Sequence, residues 1–579
     1  MADSNADESL KSLAYKLALK NAVDYGSAKE APVLNKILAS DPALKNSMAA
    51  IGKLVAEAVA TVNAMSKEQL LGAYEQYRAE FEGKEREKKL LTASPHMELE
   101  GAVVGDFAAR FPPEPNGYIH IGNTKQAFLS QEFANIYKGK LFLYFDDTNP
   151  EKDRQEFVDA IKRDTEWLGI RFDSEYYASD MVEQIYEYAR QMIQKGKAYV
   201  CFCTGEEINK GRAAKQACKH RDKSAGDNLA DFEDMLNGKY GEGEATVRFK
   251  GDMQSDNATL RDPVLLRIKE HEHYRQGAKY KVWPTYHFNT PINDSVHGVT
   301  DVIRSKEYEL SDELYRQVLS VLGLRVPRIH DMARLRIKGT STHKRELKEL
   351  ISKGVVSGYD DPRLVTIAAL RRRGIIPEAI RRFVLRFGMS KTDSTVGIDM
   401  LLAENRKLID ATAKRLFFVS NPVMVHVAGL QKTEAVLRLH PTEELGFRRY
   451  SVSGNFYIDG SDAGKLSPGD VFCLKDFACV RIINMSSDRI ETSFVEPSAE
   501  TLSKAMKLQW VSEGNYMQCK LMLVGELLVD GKVNENSLVS RGGLVESYAA
   551  SLREGEVVNF ERVGFFKLDD KKQTIFLSL

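Results

Sequence analysis

Residues 110–125, Arg-Phe-Pro-Pro-Glu-Pro-Asn-Gly-Tyr-Ile-His-Ile-Gly-Asn-Thr-Lys, constrain the fold more than any other stretch of the chain. Ahead of them, residues 101–105 and 107–111 are apolar and read as a strand. Behind them, residues 127–137 carry the apolar period of a helix. The Pro-rich segment between must be an extended turn. A strand, a rigid turn and a helix in that order form the building unit of a parallel α/β sheet. A helix start presents unpaired amides and the positive end of a dipole, so it suits a phosphate. Gly122 lets a ligand approach the backbone, and His120 can donate to a phosphate oxygen. The pattern specifies a nucleotide site in an α/β domain.

The chain is long enough, at 579 residues, for roughly three to five domains. No run of 18 apolar residues occurs, which argues against a membrane span. The acidic N-terminus lacks the apolar core of a signal peptide, and six cysteines in such a length do not make a disulfide scaffold. A cytoplasmic protein is expected. With 82 basic and 82 acidic residues, indiscriminate nucleic-acid binding is disfavoured while a local basic face is allowed.

The expected organisation is multidomain α/β plus β. Residues 1–99 form an N-terminal helical domain. In it Leu10, Leu13, Leu17 and Val23 lie near helical spacing, Gly26 acts as a stop, residues 53–65 form a further helix and the charged residues 84–89 a hinge. It carries no chemical motif and reads as a packing or docking module for a protein partner. Residues 100–194 and 284–345 are two halves of a Rossmann-type domain, interrupted by an insertion at 195–283. Residues 346–420 are helical and Arg-rich. From 421 to 579, short strands and turns such as Asp459-Gly and Asp530-Gly indicate β-barrels.

Three further features carry chemistry. Residues 338–345, Lys-Gly-Thr-Ser-Thr-His-Lys-Arg, follow the apolar run 332–337, which reads as a strand, and precede a helix, making a basic loop suited to developing phosphate charge. Arg371, Arg372 and Arg373 sit in a basic helical region suited to phosphate contact. Cys201 and Cys203, then Cys218 and His220, make a Cys-x-Cys…Cys-x-His pattern. Three thiolates and an imidazole form a closed tetrahedral set for structural Zn²⁺. Cys473, Cys479 and Cys519 are scattered among expected strands and read as buried.

The stretch around His120 resembles the HIGH motif of class I aminoacyl-tRNA synthetases of the glutamyl/glutaminyl subgroup. Residues 338–345 resemble that family's KMSKS loop, and residues 357–364 and 370–374 are similar to the same subgroup. The resemblance spans about residues 100 to 579, and the β-rich C-terminus fits the archaeal/eukaryotic type of glutamyl enzyme. It implies ATP with Mg²⁺, L-glutamate and tRNA(Glu) as reactants, a glutamyl-adenylate intermediate, and a β-barrel anticodon-binding domain. It assigns His120, Gly122, Asn123 and Lys344 to ATP, and His120, Asn123, Lys344 and Arg345 to catalysis. It assigns Asp146, with Glu114 as a second candidate, to the substrate α-amino group. Arg304, with Arg110 as the second guanidinium, goes to the side-chain carboxylate, which a guanidinium meets bidentately, and Tyr286 lines the pocket. It also supports zinc in the insertion. Arg304 separates this reading from a glutaminyl enzyme, whose matching position is uncharged. Retention of His120, Lys344, Asp146 and Arg304 separates it from an inactive tRNA-binding relative. Two positions depart from the family pattern: Asn123 replaces the second His, and Thr342-His343 replace Met-Ser. Whether tRNA(Gln) also receives glutamate is left open.

Overall fold

The computed structural model describes residues 2–40, 48–77, 98–496, 498 and 503–579. The chain divides into two compact units, residues 1–94 and 95–579.

The first unit is helical: Ala2–Tyr25, Glu30–Ser40, Met48–Asn63 and Lys67–Glu75. Gly26 adopts φ +82°, a left-handed value that ends the first helix. Small residues at helical spacing, Ala14, Ala18 and Ala22, let that helix approach Val55 and Val59 of the third. The charged stretch 84–89 lies outside the described residues.

The second unit begins with the parallel strands Ala108–Phe111, Lys140–Phe145 and Ser174–Tyr177. Residues 101–105 do not join the first strand. Gly101 and Gly105 take φ +74° and +85° and turn the chain, which leaves Val103 and Val104 exposed. After the insertion, Asp301–Ser305 and Arg328–Met332 pair in parallel. Thr300 donates its N–H to the Ala108 carbonyl at 2.8 Å, so this second pair runs beside the first strand. In chain order the layer therefore reads third, second, first, fourth, fifth. That is a doubly wound sheet whose direction reverses between Ala108–Phe111 and Asp301–Ser305, where such sheets bind ligands. The run 332–337, expected as one strand, breaks at Ala333–Arg334. Leu335–Ile337 turns away to pair with Ser394–Val396.

The insertion is an antiparallel meander of Ala198–Cys201, Thr246–Phe249, Val264–Ile268 and Val282–Pro284, with helices Gly205–Ala213 and Ala225–Leu236. The C-terminal part holds two seven-stranded sheets. Lys414–Leu416 and Phe418–Val419, ahead of residue 421, already belong to one of them. Arg448 and Glu546 form a fully buried ion pair at 2.9 Å beneath these strands. Cys473 and Cys479, expected as separate buried thiols, stand opposite each other on adjoining antiparallel strands and form a disulfide. A tight turn between their strands brings them together, and spacing in sequence does not reveal that register. Cys519 is a buried free thiol.

Candidate active site

The helix Ile121–Ile136 starts inside the molecule, so its first amides need partners. His120 is the N-cap. Its Nδ1 accepts the Gly122 N–H at 3.0 Å, while the Asn123 Oδ1 accepts the His120 N–H at 3.0 Å. Burial, and then the nearby cations led by Lys344, push the His120 imidazole down to about 3, so it is neutral. With Nδ1 accepting, the proton sits on Nε2. The Asn123 amide is oriented by the same exchange, which leaves its Nδ2 hydrogens as donors.

These groups line a cavity of about 410 Å³ at the switch point of the sheet. Lys344, at the start of helix Lys344–Ser352, reaches across it. Its ammonium donates to the Asn116 side chain and to the Glu114 carbonyl at 3.1 Å. The basic loop and the His120 stretch therefore meet over the Pro-rich turn. Thr342 and His343 also line the cavity, whereas Arg345 is exposed and does not.

The other end of the cavity is organised by one face of helix Tyr286–Val296. Asp294 receives Arg110 bidentately, at 2.8 and 3.2 Å, from 184 residues away, and also accepts from the Tyr315 hydroxyl at 3.0 Å. Asn293 donates to Asn289 at 2.6 Å, and Asn289 donates to Asp146 at 3.0 Å. The Tyr286 hydroxyl accepts from Arg304 Nη1 at 3.1 Å. Arg304 is 3% exposed. It pairs with Asp312, with Asp331 at 3.4 Å and with the Tyr308 carbonyl at 3.3 Å. Burial, with Glu114 and Asp147 adding like charge, raises the Asp146 carboxyl to about 7. Glu114 lines the cavity from its exposed rim.

Residues 106–411 match the family model of the catalytic domain of class I tRNA synthetases (E and Q). Residues 413–499 and 507–569 match two models of the anti-codon binding domain of the same synthetases. A protein of Nitrosopumilus maritimus named glutamate–tRNA ligase is 40% identical, over 98% of this chain and 99% of its own. One of Pyrococcus furiosus with the same name is 40% identical, over 97% of each. A solved glutamate tRNA ligase of Elizabethkingia meningosepticum is 18% identical with a TM-score of 0.39, covering 53% of this chain and 70% of its own. The chain belongs to the class I tRNA synthetases of the E and Q group.

In this synthetase the insertion holds Cys201, Cys203, Cys218 and His220 with their ligand atoms all within 4.8 Å of one another. Cys218 Sγ lies 3.5 Å from Cys201 Sγ, 3.3 Å from Cys203 Sγ and 3.2 Å from His220 Nδ1. Edges of about 3.5–3.8 Å are those of a tetrahedron around an ion with Zn–S bonds of ~2.3 Å and Zn–N bonds of ~2.0 Å. The His220 amide donates to Cys218 Sγ at 3.3 Å, a bond suited to a thiolate. The donor set fits Zn²⁺.

The three arginines of helix Ile367–Arg373 do different things. Arg373 is buried and donates to the Ser578 carbonyl at 3.1 Å. Arg372 pairs with Asp569 at 2.9 Å, and Arg371 lies over the Trp167 ring. Two of the three thus join the synthetase's catalytic and C-terminal parts. Sequence reasoning missed Asp294, Asn289 and a cleft between the two C-terminal sheets lined by Arg415, Arg438, Lys475 and Arg562. The spacing of Tyr286, Asn289, Asn293 and Asp294 on one helical face was the available signal for the first two.

Replacing Asp294 by Ala should strand the Arg110 guanidinium in the interior, at a cost of about 3–5 kcal/mol. Denaturant unfolding should show that loss. Unchanged stability would mean that Arg110 finds another partner.

Proposed function

We propose that the chain ligates L-glutamate to tRNA(Glu) with ATP, in two steps. A glutamate α-carboxylate oxygen attacks the α-phosphorus of ATP, which arrives as its Mg²⁺ complex; the bond to the β-phosphate oxygen breaks and pyrophosphate leaves. The terminal ribose hydroxyl of the tRNA then attacks the acyl carbon and AMP departs. The observation that carries the reading is Arg304, a buried guanidinium lining the same cavity as His120 and Lys344. Near full-length similarity to proteins named glutamate–tRNA ligase supports it. These reactants belong to protein synthesis in the cytoplasm.

His120 Nε2–H, the Asn123 amide and the Lys344 ammonium are suited to the phosphates. Lys344 meets charge that grows as pyrophosphate leaves. Asp146 receives the α-ammonium, with Glu114 at the rim. Arg304 has five N–H donors, four of which are engaged by Asp331, Tyr286, Tyr308 and Asp312. The remaining Nη1 hydrogen and the free donors of Arg110 face the substrate carboxylate. A carboxylate offers these donors two acceptor oxygens, whereas an amide offers one carbonyl oxygen and sets its NH₂ donor against a donor, so glutamine is selected against. Cys201, Cys203, Cys218 and His220 would hold Zn²⁺ as a closed structural clamp on the insertion, which guides the acceptor end. Arg371, the one of the three whose side chain is not tied to the C-terminal part, is suited to tRNA phosphates, and the cleft cations to the anticodon.

Pyrophosphate exchange with tRNA present, run with glutamate and then with glutamine, tests the assignment. Glutamate should support exchange and glutamine should not. Arg304→Cys should lower glutamate activation by about two orders of magnitude, a loss on the order of 2–4 kcal/mol, with less loss for glutamine. Unaltered glutamate kinetics in that variant would sink the assignment.

The Asp146 carboxyl must be ionised to hold the ammonium, and its raised value of about 7 places that ionisation near neutrality. The KM for glutamate should therefore climb as pH falls below about 7, approaching tenfold per pH unit, and flatten above it. A KM that stays level from about pH 6 to about pH 8 would remove Asp146 from that role.

Elemental analysis of reduced, purified protein should find about one zinc per chain. Cys218→Ser should lose the metal and impair aminoacylation while ATP binding survives. Metal-free wild-type protein with full activity would refute the clamp.

A further inference from the structure

The cavity contains a buried cation that the two-step scheme leaves unused. Lys125 is 2% exposed, one turn beyond Gly122 on the same helical face, and it lines the cavity. An ammonium carries three donors. The Lys125 Nζ donates to the Ala333 carbonyl at 2.8 Å, and no ion pair holds it among the described residues. Burying a cation against one neutral acceptor is costly, and the burial pulls its titration down to about 8. A methionine would fill the same space without that cost. The position of Ala333 shows what the charge achieves. Ala333 sits where the run 332–337 breaks between two strands, and its own N–H donates to the Ser390 carbonyl at 2.9 Å. Two residues on, the Leu335 carbonyl packs against Gly122 so closely that a Cβ there would lie 3.2 Å away. Leu335–Ile337 then runs directly into the loop that ends at Lys344.

We infer that Lys125 is a positioning residue for ATP: by holding the Ala333 carbonyl it fixes the strand carrying the Lys344 loop against the helix carrying His120. The inference rests on the reading of this cavity as the ATP site. The triphosphate must be gripped by donors from both sides at once. Helix and strand are in contact there, so a small slip at Ala333 moves Lys344 relative to His120 Nε2. Lys125 touches the protein backbone and sets geometry; the phosphates are met by the other two.

The test is tRNA aminoacylation by the full-length protein, with KM for ATP and for glutamate measured separately in wild type, Lys125→Met and Lys125→Arg. Lys125→Met should raise the ATP KM, or lower kcat, by about tenfold while the glutamate KM stays within about twofold. Lys125→Arg, which keeps a charged donor, should recover most of the loss. The inference is overturned if Lys125→Met leaves both the ATP KM and kcat unchanged. It is also overturned if both KM values rise together, with a lowered melting temperature and no recovery by Arg, because Lys125 would then be a packing residue. A wild-type rate that does not saturate with ATP would instead remove the reading of the cavity itself.

Discussion

A helix that begins in a protein interior must have its first amides met, and the site is built around how this one meets them. His120 accepts from Gly122 while Asn123 accepts from His120. A protonated imidazole has no lone pair for that bond, so capping and neutrality are one requirement. The remaining ring proton then has one place to go, the side facing the cavity. The segment is held further by Ile121 donating to Val365 and Ile367 donating to Ile119, both at 3.0 Å. The Tyr118 and Tyr359 rings stack at 4.5 Å. The motif is thus a rigid strut between the sheet and the helical region, and not a flexible loop awaiting a ligand.

The amino-acid end follows a different logic. Each guanidinium arrives already compensated, Arg110 by Asp294 and Arg304 by Asp312 and Asp331. An uncompensated buried guanidinium would be costly to fold around. Compensation lowers that cost and shifts selection from net charge to the direction of a few N–H bonds. On the proposed reading the pocket discriminates by geometry. The same reasoning explains why one helix face supplies Tyr286, Asn289 and Asp294: a single rigid element fixes all three partners at once.

Much of this was legible in the chain. The alternation of strand and helix, the Pro-rich turn, the Cys-x-Cys…Cys-x-His set and the basic loop are local patterns, and local patterns survive reading one residue at a time. Pairings across the chain do not. Nothing near Arg110 announces Asp294, because their meeting depends on which strands become neighbours. The same holds for Cys473 and Cys479, whose opposition is a matter of register. It holds for Arg373, which looks like a phosphate ligand in sequence and is spent on the Ser578 carbonyl. Residues 101–105 misled for the opposite reason: apolar content suggested a strand, and two left-handed glycines overruled it. Lys125 escaped notice because a lysine on a helix is ordinarily solvated, and burial is a property of the assembled fold.

The family descriptions change from catalytic to anti-codon binding between residues 411 and 413, yet the molecule has no joint there. Leu527 is fully buried among Leu347, Val356, Leu364 and Ala369, and the Leu528 amide donates to the Gly339 carbonyl at 2.9 Å, inside the basic loop that carries Lys344. Gly339 has φ +77°, and a Cβ on it would meet the Glu526 side chain at 2.6 Å. A chain cut at the descriptive boundary would expose an apolar floor and release the basic loop from its anchor. What passes between relatives as a catalytic module is, in mechanical terms, incomplete: a transplantable unit carries its far strands with it.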